Sequence, residues 1–256
     1  MQSLVKKILR NSKMLKLKKI LGINPIHMSL SDINSSASVS DAFCWRTDNN
    51  FVTTFKYSDL PNLFYNIKDS QVEIIFYSKN NNLIKKLIID NLNFSNKLII
   101  NKKLLNGLED YGVFYIFHRF NNKIDSNIIL SNRCYLGFSK NNNLSSFVHG
   151  NTLARYKNFK DNKVNTDIVK TTFLINNNYR IQNFFNKFDK SEIFLSNPTS
   201  KKIIFYIKKE KYLLENGCSK IIDVTNEKII NIKSNCLLLR PLIFNYKGEY
   251  TDVYHG

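Results

Sequence analysis

The sequence predicts an all-β protein, two tandem antiparallel β-sandwich units preceded by a short basic helical segment. Three observations predict it. From Val39 onward, apolar and aromatic runs of strand length are separated by Asn, Asp, Ser and Gly, the punctuation of strands and turns. Nowhere in that stretch does a strand alternate with a long helical pattern, which argues against a parallel α/β sheet. Two words recur at nearly equal offsets, Ile74-Ile75-Phe76-Tyr77 as Ile203-Ile204-Phe205-Tyr206 and Ile99-Ile100-Asn101 as Ile229-Ile230-Asn231, as a tandem duplication would leave them. Asn, Lys and Ile number 37, 31 and 30 of 256 residues, so chance also produces such words, and that alternative stays open.

Residues 1–38 form the basic segment and linker, 39–160 the first unit and 161–256 the second. Over residues 2–21 the charges are Lys6, Lys7, Arg10, Lys13, Lys16, Lys18 and Lys19 with no acidic residue, and Gly22 is a helix stop. Leu4, Ile8 and Leu15 share one side of a helical wheel, whereas Met14, Leu17, Ile20 and Leu21 spread over another. Two short helices, one membrane-surface helix and a basic tail all fit that pattern.

The clearest strands of the first unit are Phe51 to Tyr57, Val72 to Tyr77, Leu83 to Ile89, Leu98 to Ile100, Val113 to Phe120 and Cys134 to Phe138. Those of the second begin near Ile168 and run over Thr171 to Ile175, Ile193 to Leu195, Ile203 to Ile207, Ile229 to Ile232 and Leu237 to Leu239. Within the first unit, Leu108-Glu109-Asp110-Tyr111-Gly112-Val113-Phe114-Tyr115-Ile116 resembles the L-x-D-x-G-x-Y-x-C segment of immunoglobulin-like β-sandwich domains. Phe114 stands where that family has its corner Tyr, and Ile116 where it has Cys. The resemblance, over these nine residues, implies a sandwich fold lacking both the corner hydrogen bond and the disulfide, and a fold carries no function by itself.

A net charge of +18 and a pI near 9.7 predict attraction to nucleic acid, anionic lipid or acidic glycan, although a Lys-rich composition alone gives the same surplus. Cys44, Cys134, Cys218 and Cys236 lie far apart with no C-x-x-C pair, which argues against a zinc ribbon or redox motif and for buried free thiols. No stretch approaches the ~20 apolar residues that span a bilayer, and the N-terminus lacks the apolar run of a secretory signal. The expected location is cytoplasmic, free or peripheral to a membrane. Zinc-finger, helix-turn-helix, aromatic RNP and Gly-rich phosphate-loop patterns are absent.

Against this background two segments gather the rare residues: DAFCWRTD (Asp41 to Asp48) and VHGNTLARY (Val148 to Tyr156). Only seven Arg occur, and a guanidinium binds carboxylate or phosphate as a bidentate fork. Arg46, Arg119, Arg133 and Arg155, with Asn151 and the rings of Trp45 and Tyr135, would form a pocket for an acidic sugar or phosphorylated ligand if their strands converged. The alternative is that each Arg pairs with a nearby Asp. His118 and His149 are the candidate acid and base of a catalytic reading; the competing reading is a satisfied strand histidine and a surface one. The expectation is a non-catalytic binding or accessory protein for an anionic ligand, an acidic glycan or a lipid headgroup, with no cofactor and no metal. An enzyme acting through His118 and His149 on a sugar or phosphorylated substrate, and a nonspecific nucleic-acid binder, are the alternatives.

Overall fold

The computed structural model describes residues 33, 36–120, 128–132, 134–141, 143–160, 163–166, 168–183 and 188–256. The basic segment over residues 2–21 and Arg133 lie outside them. The described chain is nearly all β. In order the strands are β1 (Ala37–Asp41), β2 (Phe43–Arg46), β3 (Phe51–Tyr57), β4 (Gln71–Ser78), β5 (Leu83–Ile89), β6 (Asn96–Ile100) and β7 (Tyr111–Arg119). There follow β8 (Ile129–Asn132), β9 (Tyr135–Lys140), β10 (Ser146–His149), β11 (Leu153–Asn158), β12 (Val164–Asn165) and β13 (Asn177–Gln182). The last are β14 (Lys190–Ser196), β15 (Ile203–Ile207), β16 (Glu210–Leu214), β17 (Ser219–Asp223), β18 (Ile229–Ser234), β19 (Leu242–Lys247) and β20 (Tyr250–His255). One short helix, α1 (Leu60–Tyr65), joins β3 to β4.

These strands form five four-stranded sheets, ordered β12-β11-β1-β8, β10-β9-β3-β6, β2-β7-β4-β5, β13-β18-β15-β16 and β17-β14-β19-β20. Among the described residues every strand pair is antiparallel except one: β1 runs parallel to β8, a correction to the all-antiparallel expectation. The chain changes sheets at Ala42. The stretch from Ala37 to Arg46 is split there, β1 pairing with β11 and β8 while β2 pairs with β7. Beyond β2, the edge of β7 is closed by side chains: the Ile116 and His118 N–H groups donate to the hydroxyls of Ser40 and Ser38, at 2.9 and 3.0 Å. Serines on β1 thus take the place of a missing ladder partner.

The abundance of Asn finds its use in the turns. Asn49, Asn50, Asn66, Asn81, Asn91, Asn106, Asn141 and Asn226 all have positive φ, a backbone region that Asn enters more readily than other side chains because its short amide bonds locally. Two expected strands are not strands. Thr171 to Ile175 is a bent segment in which the Thr172 hydroxyl donates to the Leu174 carbonyl at 2.6 Å, a local bond that competes with a ladder. Leu237 to Leu239 is likewise irregular, although Leu239 is buried.

Two clusters of buried side chains make the core. One is rich in aromatic rings, among them Phe43, Phe55, Phe76, Phe114 and Phe138; the other is aliphatic, built from Ile193, Ile203, Ile207, Ile230, Ile232 and Ile243 around Phe205. The β14/β19 sheet serves both. Phe194, Leu242, Phe244 and Tyr246 face the aromatic cluster, and the intervening Ile193, Leu195 and Ile243 face the aliphatic one. Burial on both faces explains why Glu192 to Leu195 and Leu242 to Tyr246 do not alternate apolar with polar residues. The first repeated word falls on the first strand of a hairpin in both places, β4 with β5 and β15 with β16. The second does not correspond, since β6 pairs with β3 whereas β18 pairs with β13 and β15. No helix among the described residues is long and apolar enough to cross a membrane.

Candidate functional site

Of the nine side chains singled out from the sequence, the eight within the described residues divide among buried, half-buried and exposed positions. Trp45 is 0% exposed on β2, and its indole N–H donates to the Tyr77 carbonyl at 2.9 Å, so its ring offers no open face. Arg46 is equally enclosed. Its guanidinium bonds both Asp48 carboxylate oxygens at 2.9 and 2.6 Å, Glu192 at 3.0 Å and the Tyr246 hydroxyl at 2.8 Å, and lies 4.3 Å above the Phe51 ring. Burial by itself would make this cation easier to deprotonate; Asp48, Tyr246 and Glu192 reverse that and hold its pKa above the usual arginine range.

Arg155, on β11, sits between the rings of Tyr115 and Tyr77 at 4.1 and 4.7 Å and donates to Asn81 at 3.3 Å. Two residues along the same strand, Lys157 pairs with the buried Glu73, which also pairs with Lys86. Burial would raise the Glu73 pKa, but the two ammonium groups bring it below the usual carboxylate value. Asn151 is buried beside Ala42, and its side-chain amide has no hydrogen-bond partner. Arg119 ends β7 opposite Gln71.

His118 is 1% exposed, and its ring nitrogens make no hydrogen bond of normal geometry with a described residue, only a weaker contact with the Asn132 side chain. Burial pushes its pKa down to about 4, against the weaker opposite pull of Asp59 and Asn132. His149 is exposed on β10 in another sheet. The structure does not bring these two histidines into one open cleft.

Tyr135 and His149 do come together, with ring centroids 4.4 Å apart. They face each other across the β9/β10 ladder, and the ladder continues their row: Tyr135 lies opposite Lys56 on β3, and Lys56 opposite Lys97 on β6. Directly opposed residues share a face, so His149, Tyr135, Lys56 and Lys97 form a line across the outer surface, and all four are exposed. The sequence builds this face by simple alternation. Phe51, Phe55, Tyr57, Leu136, Phe138 and Ile100 turn into the aromatic core, leaving Lys56, Tyr135 and Lys97 outside.

The next row holds Phe147, Gly137, Thr54 and Ile99. The Phe147 ring lies over Gly137, where an added Cβ would approach it to 2.6 Å, and Lys56 Nζ stands 4.7 Å from the centre of that ring. At the strand ends the surface opens into a cleft of about 280 Å³ walled by Lys56, Tyr135, Leu60 and the three serines Ser58, Ser95 and Ser131, with Tyr57 and Cys134 also in its lining. Burial raises the Tyr57 pKa to about 12 and pushes the Cys134 thiol further up. Both are protonated at neutral pH, so Cys134 is no nucleophile. Beside β10, burial first and the charge of Arg240 next hold His255 at about 4.

Lys56, Lys97 and Phe147 were not anticipated from the sequence. Lys56 carried the one available signal, its place on the polar face of the expected strand Phe51 to Tyr57; Lys97 and Phe147 fall outside the expected strands. No protein-family model matches the chain, and no curated protein matches it significantly.

Proposed function

We propose that this is a non-catalytic binding or accessory protein for an anionic ligand, an acidic glycan or a lipid headgroup, and that the outer face of the β3/β9 sheet is its site. The observation that carries the reading is the Lys56–Lys97 pair. Two ammonium groups directly opposed on a sheet repel, and neither forms an ion pair with a described residue. A bound anion relieves that repulsion. Tyr135 and Phe147 add ring faces on which a sugar stacks, and the three cleft serines add hydroxyls that both donate and accept. We further read the sheets as two packed units over 39–160 and 161–256, supported by the aliphatic cluster, whose buried members all come from residue 169 onward; Phe194, Leu242, Phe244 and Tyr246 then form the contact of the second unit with the aromatic core, and β12 crosses to the first unit's sheet.

Calorimetric titration with a heparin-derived hexasaccharide tests the site. Lys56→Ala with Lys97→Ala should weaken binding roughly tenfold or more, the scale of one charge-assisted hydrogen bond. Lys233→Ala, which removes an exposed charge on β18, should change it little. Equal losses from both would show a diffuse field of positive charge and no site. A single-stranded oligonucleotide that binds more tightly than the saccharide at the same salt would replace the glycan reading with the nucleic-acid one.

A further inference from the structure

Both flanks of the cleft carry large apolar side chains in the open. On one flank, α1 begins at Leu60 and presents Leu63, Phe64 and Tyr65, with Phe64 66% exposed; on the other, Phe94 beside Ser95 is 62% exposed. A helix of six residues in water gains little from propensity, and this one is held at its ends. The Asp59 side chain accepts from the Asn62 N–H at 3.2 Å and the Ser70 hydroxyl at 2.5 Å, Asn66 closes the C-terminus in the left-handed region, and Pro61 and Ile67 are buried beneath it. The apolar residues are thus displayed on a fixed support. The charges on these two segments are Lys56, Lys68 and Lys97, with Asp69 and Asp90 at the segment ends and Asp59 buried as the cap. Three lysines and three aspartates balance over these segments, so the positive charge is local: Lys56 walls the cleft, Lys97 stands opposite it, and neither forms an ion pair with a described residue, in a chain whose net charge is +18.

Exposed aromatic and aliphatic side chains next to lysines without a described ion-pair partner suit an anionic bilayer, where rings enter the interface and ammonium groups meet the headgroups. We propose that Leu63, Phe64, Tyr65 and Phe94 form a membrane-docking rim that seats the cleft against an anionic lipid surface, with Lys56 and Lys97 at headgroup level. The inference rests on the anionic-ligand reading of the same cleft and assigns the source of the anion to a lipid headgroup.

Sedimentation of the full chain with vesicles of phosphatidylcholine, alone or with about one-third phosphatidylserine, reads the proposal. The protein should bind the anionic vesicles and ignore the neutral ones. Phe64→Ser with Phe94→Ser should cut vesicle binding roughly tenfold while leaving the melting temperature and the hexasaccharide affinity unchanged. Vesicle binding that survives this double change but disappears in Lys56→Ala/Lys97→Ala overturns the rim and leaves the anionic site standing. A wild-type chain that ignores both vesicles, or that covers the rim by dimerising through Phe64 and Phe94, also overturns it. Loss of neither vesicle nor hexasaccharide binding in the double-lysine variant overturns the site itself.

Discussion

Arg46 and Lys56 each hold a cation over a phenyl ring, at 4.3 Å from Phe51 and 4.7 Å from Phe147, yet they do different work. Arg46 is enclosed, and its charge meets Asp48, Glu192 and Tyr246. Its bonds to Glu192 and Tyr246 tie the start of the described chain to its end. Lys56 is exposed, faces another lysine, and forms no ion pair with a described residue. A satisfied buried cation is a structural tie; an exposed cation opposed by its own kind contributes no such tie.

The largest test of that contrast is Arg46→Ala. It removes the cation shared by Glu192 and Asp48, leaving Glu192 only the partly exposed Lys190 and the Tyr246 hydroxyl, and removing one member of a buried pair costs about 3–5 kcal/mol. Chemical denaturation should show a loss of that order, and Arg46→Lys should recover only part of it, because an ammonium cannot reproduce a fork that meets two carboxylates and a hydroxyl. A loss below about 1 kcal/mol would fall within the range of exposed pairs and erase the distinction between the two regions.

A second test follows from His118, whose ring lies in the interior. Its pKa is lowered from 6.5 to about 4 by burial. Below pH 6.5 the unfolded chain takes up a proton that the folded chain refuses until about pH 4. Stability is therefore lost as pH falls through that window, by up to about 3 kcal/mol. His255 shifts in the same direction and adds to the slope. The carboxylates of Glu73 and Glu192 have lowered pKa values, so their contribution disappears only as pH falls through those lower values. Denaturation midpoints measured between pH 7 and pH 4 should fall, and His118→Leu should flatten the curve. An unchanged slope in the variant would place the proton uptake elsewhere.

Much of the fold was legible because burial on one face writes itself as alternation. β3, β5 and β15 coincide with the stretches expected from the sequence. β10, β11 and β13 were missed because Ser146 to His149, Leu153 to Asn158 and Asn177 to Gln182 carry too many polar residues to read as strands. Each is held by register with a partner far away or across a loop, which local pattern does not reveal. Rarity was an uneven guide to the site. It drew attention to Tyr135 and His149, which do meet, and equally to Arg46 and Arg155, whose planar guanidinium suits an interior of carboxylates and rings. Lys56 and Lys97 were hidden by abundance, two among 31 lysines distinguishable only by what stands opposite them.

The smallest expected effect is the sharpest discriminator. If the lysine row serves a ligand and not the fold, Lys56→Ala with Lys97→Ala should leave the thermal unfolding transition nearly where it was, within about 0.5 kcal/mol, as for exposed substitutions away from special features. The sign should favour the variant, since opposed like charges on a sheet cost stability that their removal returns. Raising the salt should narrow the difference between the two proteins, because screening already quiets the repulsion in the wild type. A destabilisation above 1 kcal/mol would mean that the Lys56 stem and its contact with the Phe147 ring hold the β9/β10 edge in place. The row would then belong with Arg46, as part of the scaffold.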